Sequence, residues 1–177
     1  MKKDIKDIKV LISNKELTQR IKTVAYEINS AYKNNETLNV ICVLKGAVMF
    51  FTELVKHLKM PVKMYFVKLS SYGNSEKSTG KIKPLDLNLP EFKNQNVLIV
   101  EDIIDTGLTL KFFSDFVKNE CKSKDTKIAV MFDKKCARQH DITPDFSAFD
   151  IDDKFIVGFG LDYCDLYRNL DYIGYFE

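Results

Sequence analysis

Two patterns of hydrophobic and polar residues alternate along this chain, one with helical spacing and one of short, nearly unbroken apolar runs. Ser13 and Glu16 have the spacing of a capping box, and apolar residues follow them at helical intervals. This pattern predicts an amphipathic helix over about 14–33. Leu38–Leu44 is almost wholly apolar and rich in β-branched residues, which is typical of a strand buried on both faces of a parallel sheet.

The same alternation continues to the end of the chain. Helical spacing predicts a second helix from Phe50 to Leu58 and a third from the turn at Asp105–Gly107 to about Asn119. The further predicted strands are Val62–Leu69, Val97–Glu101, Lys127–Phe132 and Phe155–Phe159. Strands that alternate with helices predict an open α/β fold, in which ligands bind beyond the carboxyl ends of the strands.

Composition narrows the class of protein. The 177 residues are 45% hydrophobic and 29% charged, which predicts one compact domain over residues 1–177. The 27 basic and 25 acidic residues nearly balance, and the only arginines are Arg20, Arg138 and Arg168. A surface that follows a nucleic-acid backbone therefore has little support, whereas a small anion needs only a local site.

The chain is expected to be cytoplasmic, with neither a membrane span nor a signal peptide. Its longest apolar run, Ala47–Phe51, is far shorter than the about 20 residues that cross a bilayer, and charge interrupts the apolar residues of MKKDIKDIKV. Four cysteines are widely separated and form no C-x-x-C pair: Cys42, Cys121, Cys136 and Cys164. This pattern predicts reduced thiols, as is usual in the cytosol.

Ser70–Lys81, with the sequence SSYGNSEKSTGK, has no apolar periodicity and contains two glycines. Such a composition is typical of a mobile surface loop, and one use for such a loop is as a lid.

The most informative stretch is VLIVEDIIDTGLTL, in which an apolar strand leads directly into three acids and a Thr-Gly-Leu-Thr turn. The turn residues are Asp105, Thr106, Gly107, Leu108 and Thr109. They lie at the start of a predicted helix, where unpaired backbone N–H groups and the helix dipole favour an anion. Gly107 permits close backbone approach, and both threonine hydroxyls can donate to a phosphate.

Glu101 and Asp102 would repel a phosphate unless they bind hydroxyl groups or a cation. A sugar phosphate resolves this conflict, because the acids can accept hydrogen bonds from the ribose diol while magnesium screens the negative charge. For D-T-G alone, a strand end followed by an N-cap aspartate is the ordinary alternative. The complete string makes that alternative much less favourable.

VLIVEDIIDTGLTL resembles the signature of type I phosphoribosyltransferases, and most closely that of their hypoxanthine-guanine branch. The resemblance extends through LKGA at 44–47, SSYG at 70–73, DK at 133–134 and PDFSAFDIDDKFIVGFGLDYCDLYRNL at 144–170. It implies a central, mainly parallel sheet flanked by helices, a small hood formed by the N- and C-terminal segments, and a flexible lid loop. The implied reaction is magnesium-dependent transfer from phosphoribosyl diphosphate to a 6-oxopurine in purine salvage.

The resemblance also implies roles for the residues around the turn. The turn at 105–109 would hold the 5′-phosphate, and Glu101 and Asp102 would bind the ribose hydroxyls directly or through Mg²⁺. Asp105 corresponds to the general base near N7 of the purine. Ser71 and Tyr72 correspond to the tip of the lid.

The diphosphate is implied to lie on the loop that contains Lys45 and Gly46, with Arg168 as a further contact. Ala47 stands where some relatives have glycine, which leaves its backbone contacts open. Asp162 is implied to contact the second magnesium, often through water, and we group it with the purine-binding residues as well. Without the resemblance, Lys45 is only a charge that ends a strand, and Arg168 and Asp162 are ordinary surface ion-pair residues.

The purine is implied to bind Lys134, Phe155 and Ile156. An ammonium has only donors, so Lys134 favours a 6-oxygen over a 6-amino group. Phe155 would stack on the base, and backbone groups of Ile156 would meet its far edge. Taken alone, Lys134 and its neighbour Lys135 are a solvated pair, and a phenylalanine that opens an apolar strand usually lies in the core.

Several alternatives stay open at this point. A regulatory protein on the same fold would sense phosphoribosyl diphosphate or nucleotides and bind nucleic acid, but the basic surface that it needs is missing. An enzyme with the same chemistry that prefers xanthine or guanine is a closer alternative, since Lys134 would serve all three bases. By analogy with relatives we expect a homodimer or homotetramer.

Overall fold

The computed structural model describes residues 4–33, 36–69 and 88–176. The helices are α1 (Asn14–Ala31), α2 (Val48–Val55) and α3 (Leu108–Asn119), with short 3-10 helices at Ile5–Asp7 and Lys135–Ala137. The strands are β1 (Ile8–Ile12), β2 (Leu38–Leu44), β3 (Val62–Lys68), β4 (Asn96–Ile104), β5 (Asp125–Asp133), β6 (Phe146–Asp150), β7 (Ile156–Val157) and β8 (Ile173–Phe176).

The larger sheet has five strands in the order β3-β2-β4-β5-β6, and all neighbouring strands are parallel. β3 lies on one side of β2, and β4, β5 and β6 lie on the other. The connection from β2 to β3 and the connection from β4 to β5 therefore run in opposite directions across the sheet. In open α/β sheets a crevice forms outside the carboxyl ends of strands at such a point. The candidate residues after Leu44, Ile104 and Asp133 lie at this edge of the sheet.

Helices cover both faces of this sheet. Val40 and Cys42 pack into a core with α1 and α2, whereas Ile41 and Val43 pack into a second core with α3. Successive side chains of a strand point to opposite faces, so an unbroken apolar run is what a strand covered on both sides requires. The prediction of a doubly buried strand at 38–44 is confirmed.

Helical spacing predicts the start of α1 correctly but places the ends of α1 and α2 too far along the chain. Ser13 and Glu16 form the predicted capping box, and α1 begins at Asn14. It ends at Ala31, two residues before the predicted boundary. α2 ends at Val55 rather than Leu58, because Leu58 N donates to Val55 O at 3.3 Å and the last turn tightens.

A second, antiparallel sheet of order β1-β8-β7 forms the hood, and it joins the two ends of the chain. Ile8 is paired with Phe176, and Ile156 with Tyr175. The predicted hood is therefore confirmed. The strand predicted at 155–159 is too long, because Gly158 has φ +100° and turns the chain after Val157.

No helix among the described residues has the length and apolar character needed to cross a membrane.

Candidate active site

The phosphate turn predicted at 105–109 lies between β4 and α3. Gly107 has φ +85° and occupies the N-cap position of α3, a conformation that glycine adopts without steric cost. The first helical hydrogen bond runs from Lys111 N to Gly107 O at 2.9 Å. The N–H groups of the first helical turn therefore have no backbone acceptor within the helix, and Leu108 N donates to Thr106 Oγ1 at 3.4 Å. N–H groups at the start of a helix favour an anion.

A cavity of about 120 Å³ opens in front of this turn. It is lined by Glu101, Ile103, Ile104, Asp105, Thr106, Gly107, Thr109 and Leu110. Leu108 is 45% exposed and does not line the cavity. Four of the five predicted turn residues thus surround one space, and Glu101 borders the same space.

Glu101 and Asp102 are half-buried side by side near the end of β4, which continues to Ile104 instead of ending at Glu101 as predicted. Burial raises the pKa of Glu101 well above its ordinary value, and the neighbouring Asp102 charge raises it further. Burial also raises the pKa of Asp102. Two negative charges are therefore unfavourable here until a cation or donor hydroxyls arrive.

The carboxylates fit a hard divalent cation that takes most of its ligands from substrate and water. No group of three or more acidic, histidine or cysteine side chains within the described ranges forms a complete metal site. Mg²⁺ in proteins commonly uses one or two carboxylates together with waters and substrate phosphates, which is the donor set available at Glu101 and Asp102.

The loop after β2 packs tightly against Asp102. A Cβ added to Gly46 would lie 1.4 Å from Asp102 Oδ2, so only glycine fits there. A Cβ added to Gly160 would lie 2.0 Å from Gly46 O. The Leu44–Lys45 peptide bond is cis. The loop is therefore held between the end of β4 and the turn that follows β7.

The candidate diphosphate residues meet in a cluster of ion pairs. Arg168 donates to Gly160 O at 2.7 Å and pairs with Asp162 at 2.6 Å, and Lys45 Nζ pairs with Asp165 at 3.0 Å. Lys45 and, more weakly, Arg168 lower the pKa of Asp165. Arg168 Nε is buried without a hydrogen-bond partner among the described residues. The cluster thus holds two cationic side chains, each paired with an aspartate, and one N–H donor without a partner that can bind an anionic group.

The candidate base-binding residues lie at the end of β5 and in the hood. Lys134 has a side chain only 15% exposed, and its Nζ pairs with Asp153 at 2.6 Å. This hydrogen bond raises the pKa of Lys134. Lys135 instead points outward, with a side chain 65% exposed that pairs with Asp150. The structure thus distinguishes two lysines that are adjacent in sequence.

Phe155 is 61% exposed, so the alternative of a core phenylalanine is wrong. Its ring has an edge contact with Tyr163, with centroids 5.9 Å apart. Ile156 is buried and belongs to β7. An exposed aromatic face beside a buried strand is available for stacking.

Sequence reasoning missed Asp153, Asp165 and the pair formed by Asp133 and Arg138. Each lies within or beside a string that carries the resemblance, but its partner is fixed only by tertiary structure. The predicted lid residues Ser71 and Tyr72 lie outside the described residues.

Comparison with known proteins identifies the family of this chain. The family described as phosphoribosyl transferase domain matches residues 8–164, and the chain belongs to this family. It is 42% identical over 174 residues to the hypoxanthine-guanine phosphoribosyltransferase of Bacillus subtilis, covering 98% of this chain and 94% of the relative.

Solved structures give the same result. A hypoxanthine-guanine phosphoribosyltransferase from Bacillus anthracis matches with a TM-score of 0.88 and 39% identity, covering 96% of this chain and 98% of that one. A hypoxanthine phosphoribosyltransferase from Staphylococcus aureus matches with a TM-score of 0.88 and 33% identity, covering 97% and 93%. The type I phosphoribosyltransferase fold expected from the sequence is confirmed.

Proposed function

We infer that this chain is a purine salvage enzyme that transfers the 5-phosphoribosyl group from phosphoribosyl diphosphate to hypoxanthine and to guanine. The products are IMP or GMP and diphosphate. One observation carries this conclusion: the cavity of the phosphate turn, the half-buried acid pair and a lysine with only donors meet at one edge of the sheet. The relatives that match over nearly the whole chain carry the same activity in their names.

We propose that the turn at 105–109 holds the 5′-phosphate. The N–H groups at the start of α3, which have no acceptor within the helix, the two threonine hydroxyls and the helix dipole all favour an anion there. Glu101 and Asp102 would accept hydrogen bonds from the ribose diol. Since their pKa values are raised, donor hydroxyls or a cation relieve the repulsion between them.

Asp105 is our candidate for the general base. It is exposed at the mouth of the turn and borders the cavity. As N9 forms its bond to C1′ of the ribose, the C1′–oxygen bond to diphosphate breaks and its electron pair leaves with the diphosphate. The purine then loses the proton from its N7, and the Asp105 carboxylate accepts that proton.

We propose that the leaving diphosphate binds the backbone amides around Gly46 together with Lys45 and Arg168. The buried Nε of Arg168, which has no partner among the described residues, supports this assignment. Fixed donors at the position where negative charge develops stabilise a leaving group without reorganisation.

Mg²⁺ is the proposed metal: Glu101 and Asp102 would hold one ion and Asp162 a second, often through water, together with substrate oxygens. It supplies charge neutralisation for the departing diphosphate. Turnover is expected to stop in excess EDTA and to return on addition of Mg²⁺. Full activity in EDTA would contradict this assignment.

We propose that Lys134 donates to the 6-oxygen of the purine while Phe155 stacks on its face and Ile156 meets its far edge. The low exposure of Lys134 and the high exposure of Phe155 support these roles. Ser71 and Tyr72 are proposed as the lid, because an oxocarbenium-like transition state must be kept from water.

We also propose that residues 1–177 form one domain in a cytoplasmic homodimer or homotetramer. All four cysteines are free, which is consistent with a reducing compartment. Pairing of β1 with β8 ties the two ends of the chain into one sheet.

The reaction itself is tested by product analysis. The protein, hypoxanthine, phosphoribosyl diphosphate and Mg²⁺ are expected to yield IMP and diphosphate in equal amounts, and free ribose 5-phosphate should be a minor product. Formation of ribose 5-phosphate without IMP would indicate a hydrolase instead of a transferase.

A further inference from the structure

Arg138 lies against the phosphate turn and contacts it through the backbone. Its Nε donates to Asp105 O at 3.0 Å, and its two terminal nitrogens donate to Ile142 O and to the carboxylate of Asp133. The lining of the cavity in front of the turn does not include Arg138. The guanidinium therefore supports the turn without bordering the space where an anion would bind.

The anchor of this guanidinium is rigid. The side chains of Arg138 and Asp133 are only 16% and 4% exposed. Asp133 ends β5, where it is paired in register with Ile104 at the end of β4. A planar guanidinium has its N–H donors in a fixed fork, so three acceptors on three segments determine its orientation.

The next peptide of the turn is fixed by the same segment. Gln139 N and His140 N both donate to Thr106 O, at 3.0 and 3.1 Å. Residues 138–140 thus bind two consecutive carbonyl groups, those of Asp105 and Thr106.

Fixing a carbonyl also fixes the N–H group of the same peptide plane. In a trans peptide the C=O and the N–H point in opposite directions. When the carbonyls of Asp105 and Thr106 are held toward residues 138–140, the N–H groups of Thr106 and Gly107 point away from them. Both of these residues line the cavity.

We propose that Arg138, anchored by Asp133, is a positioning residue for the phosphate turn. It orients the N–H groups of Thr106 and Gly107 toward the 5′-phosphate and holds the backbone of Asp105 in place. This inference rests on the proposed function, since it assigns a sugar phosphate to the turn. Lysine cannot replace Arg138, because a single ammonium cannot reach three acceptors that are spaced around a planar guanidinium.

The test compares Arg138→Lys with a matched control, Arg20→Lys. Arg20 also donates to two backbone carbonyls, those of Ala148 and Ser147, but these belong to β6 and not to the turn. Binding of ribose 5-phosphate is measured by calorimetry, and KM is measured for phosphoribosyl diphosphate and for hypoxanthine. Ribose 5-phosphate has no base and no diphosphate, so it reports on the turn.

Arg138→Lys is expected to weaken ribose 5-phosphate binding and raise the KM for phosphoribosyl diphosphate by about tenfold or more, with the KM for hypoxanthine within about twofold. Arg20→Lys should leave all three within about twofold, whatever its effect on the melting temperature. Equal losses for sugar phosphate and base, or unchanged ribose 5-phosphate binding in Arg138→Lys, would overturn the proposal.

Asp133→Asn provides a second variant if Arg138→Lys does not fold. Asparagine keeps an oxygen acceptor for the guanidinium but removes its charge, so a smaller loss of ribose 5-phosphate affinity is expected. Unchanged affinity in a folded Asp133→Asn protein would also count against the proposal. Failure of the native protein to use any purine would instead count against the proposed function, while the calorimetry would still report on Arg138.

Discussion

At the scale of single residues, Lys134 and Lys135 are adjacent but have different surroundings. Lys134 is mostly buried and is paired with Asp153, whereas Lys135 is solvated and is paired with Asp150. Lys134→Met is expected to lower kcat/KM for hypoxanthine about 10- to 150-fold, since a hydrogen bond to a charged donor contributes about 1.5–3 kcal/mol. The matched variant Lys135→Met should stay within about twofold. Equal losses in the two variants would contradict the assignment of the base to Lys134.

The raised pKa of Glu101 leads to a prediction about stability. A carboxyl whose folded pKa exceeds its unfolded value binds its proton more tightly in the folded state. It therefore destabilises the fold increasingly as pH rises from the ordinary carboxyl pKa through the raised one. Glu101→Gln is expected to melt at a higher temperature than the native protein at pH 8, with a smaller difference at pH 5.

Glu27→Gln, a change on the surface of α1, is the control for this comparison. It should not produce a stabilisation that grows with pH. The Glu101→Gln protein is also expected to lose most of its turnover, because the acid is assigned to ribose and metal. A Glu101→Gln protein that is less stable than the native protein at pH 8 would refute this electrostatic account.

Residue chemistry explains why the sequence indicated some of the site and not the rest. Glu101, Asp102 and the turn at 105–109 are close together in sequence, so their donors and acceptors could be interpreted as one unit. Asp153 is 19 residues from its partner Lys134 by sequence number, and Lys45 is 120 from Asp165. Local patterns carry no information about such pairs.

At the scale of elements, the tight fit of the loop after β2 gives the next prediction. Gly46→Ala is expected to reduce kcat/KM for phosphoribosyl diphosphate by about tenfold or more, because the new Cβ would displace the loop from Asp102. Ala47→Gly changes the neighbouring residue without adding an atom and should retain activity within about threefold. Full activity of Gly46→Ala would show that the loop tolerates displacement.

The predicted bounds are most accurate for a strand that is buried on both faces of the sheet. The bounds of β2 agree with the predicted strand, since every residue of Leu38–Val43 is buried. β1 was not predicted, because its central residues are exposed and its partner β8 lies at the other end of the chain. β7 was predicted too long, because the apolar run continues beyond the turn at Gly158.

At the scale of the whole molecule, the outer strand of the larger sheet leads to a prediction about assembly. β3 is an edge strand, and Met64 and Phe66 are 56% and 53% exposed on it. Exposed apolar side chains at a sheet edge favour burial against another surface. We expect Phe66→Lys to shift the assembly toward monomers, as measured by light scattering after gel filtration.

Val10→Lys is the control for assembly, since Val10 is 59% exposed on the hood. It should leave the oligomeric state unchanged. A monomeric native protein, or equal effects of the two changes, would contradict an interface at β3.

The architecture also explains why the whole site could not be assembled from the sequence alone. The phosphate turn and Lys134 belong to the larger sheet, whereas Phe155 precedes a strand of the hood. Pairing between the chain ends forms the hood, and Ile156 and Ile173 pack it against the core that contains α1 and α2. The resemblance to a known family implies this arrangement, whereas hydrophobic patterns do not determine how two sheets are oriented.

The central claim is tested most directly by steady-state turnover of hypoxanthine, guanine, xanthine and adenine with phosphoribosyl diphosphate and Mg²⁺, comparing the native protein with Asp105→Asn. We expect hypoxanthine and guanine to be used, adenine to be rejected, and Asp105→Asn to lower kcat by about 100-fold or more, the usual contribution of a general base. No turnover of any purine by folded native protein would contradict the account and would favour a regulatory protein on the same fold.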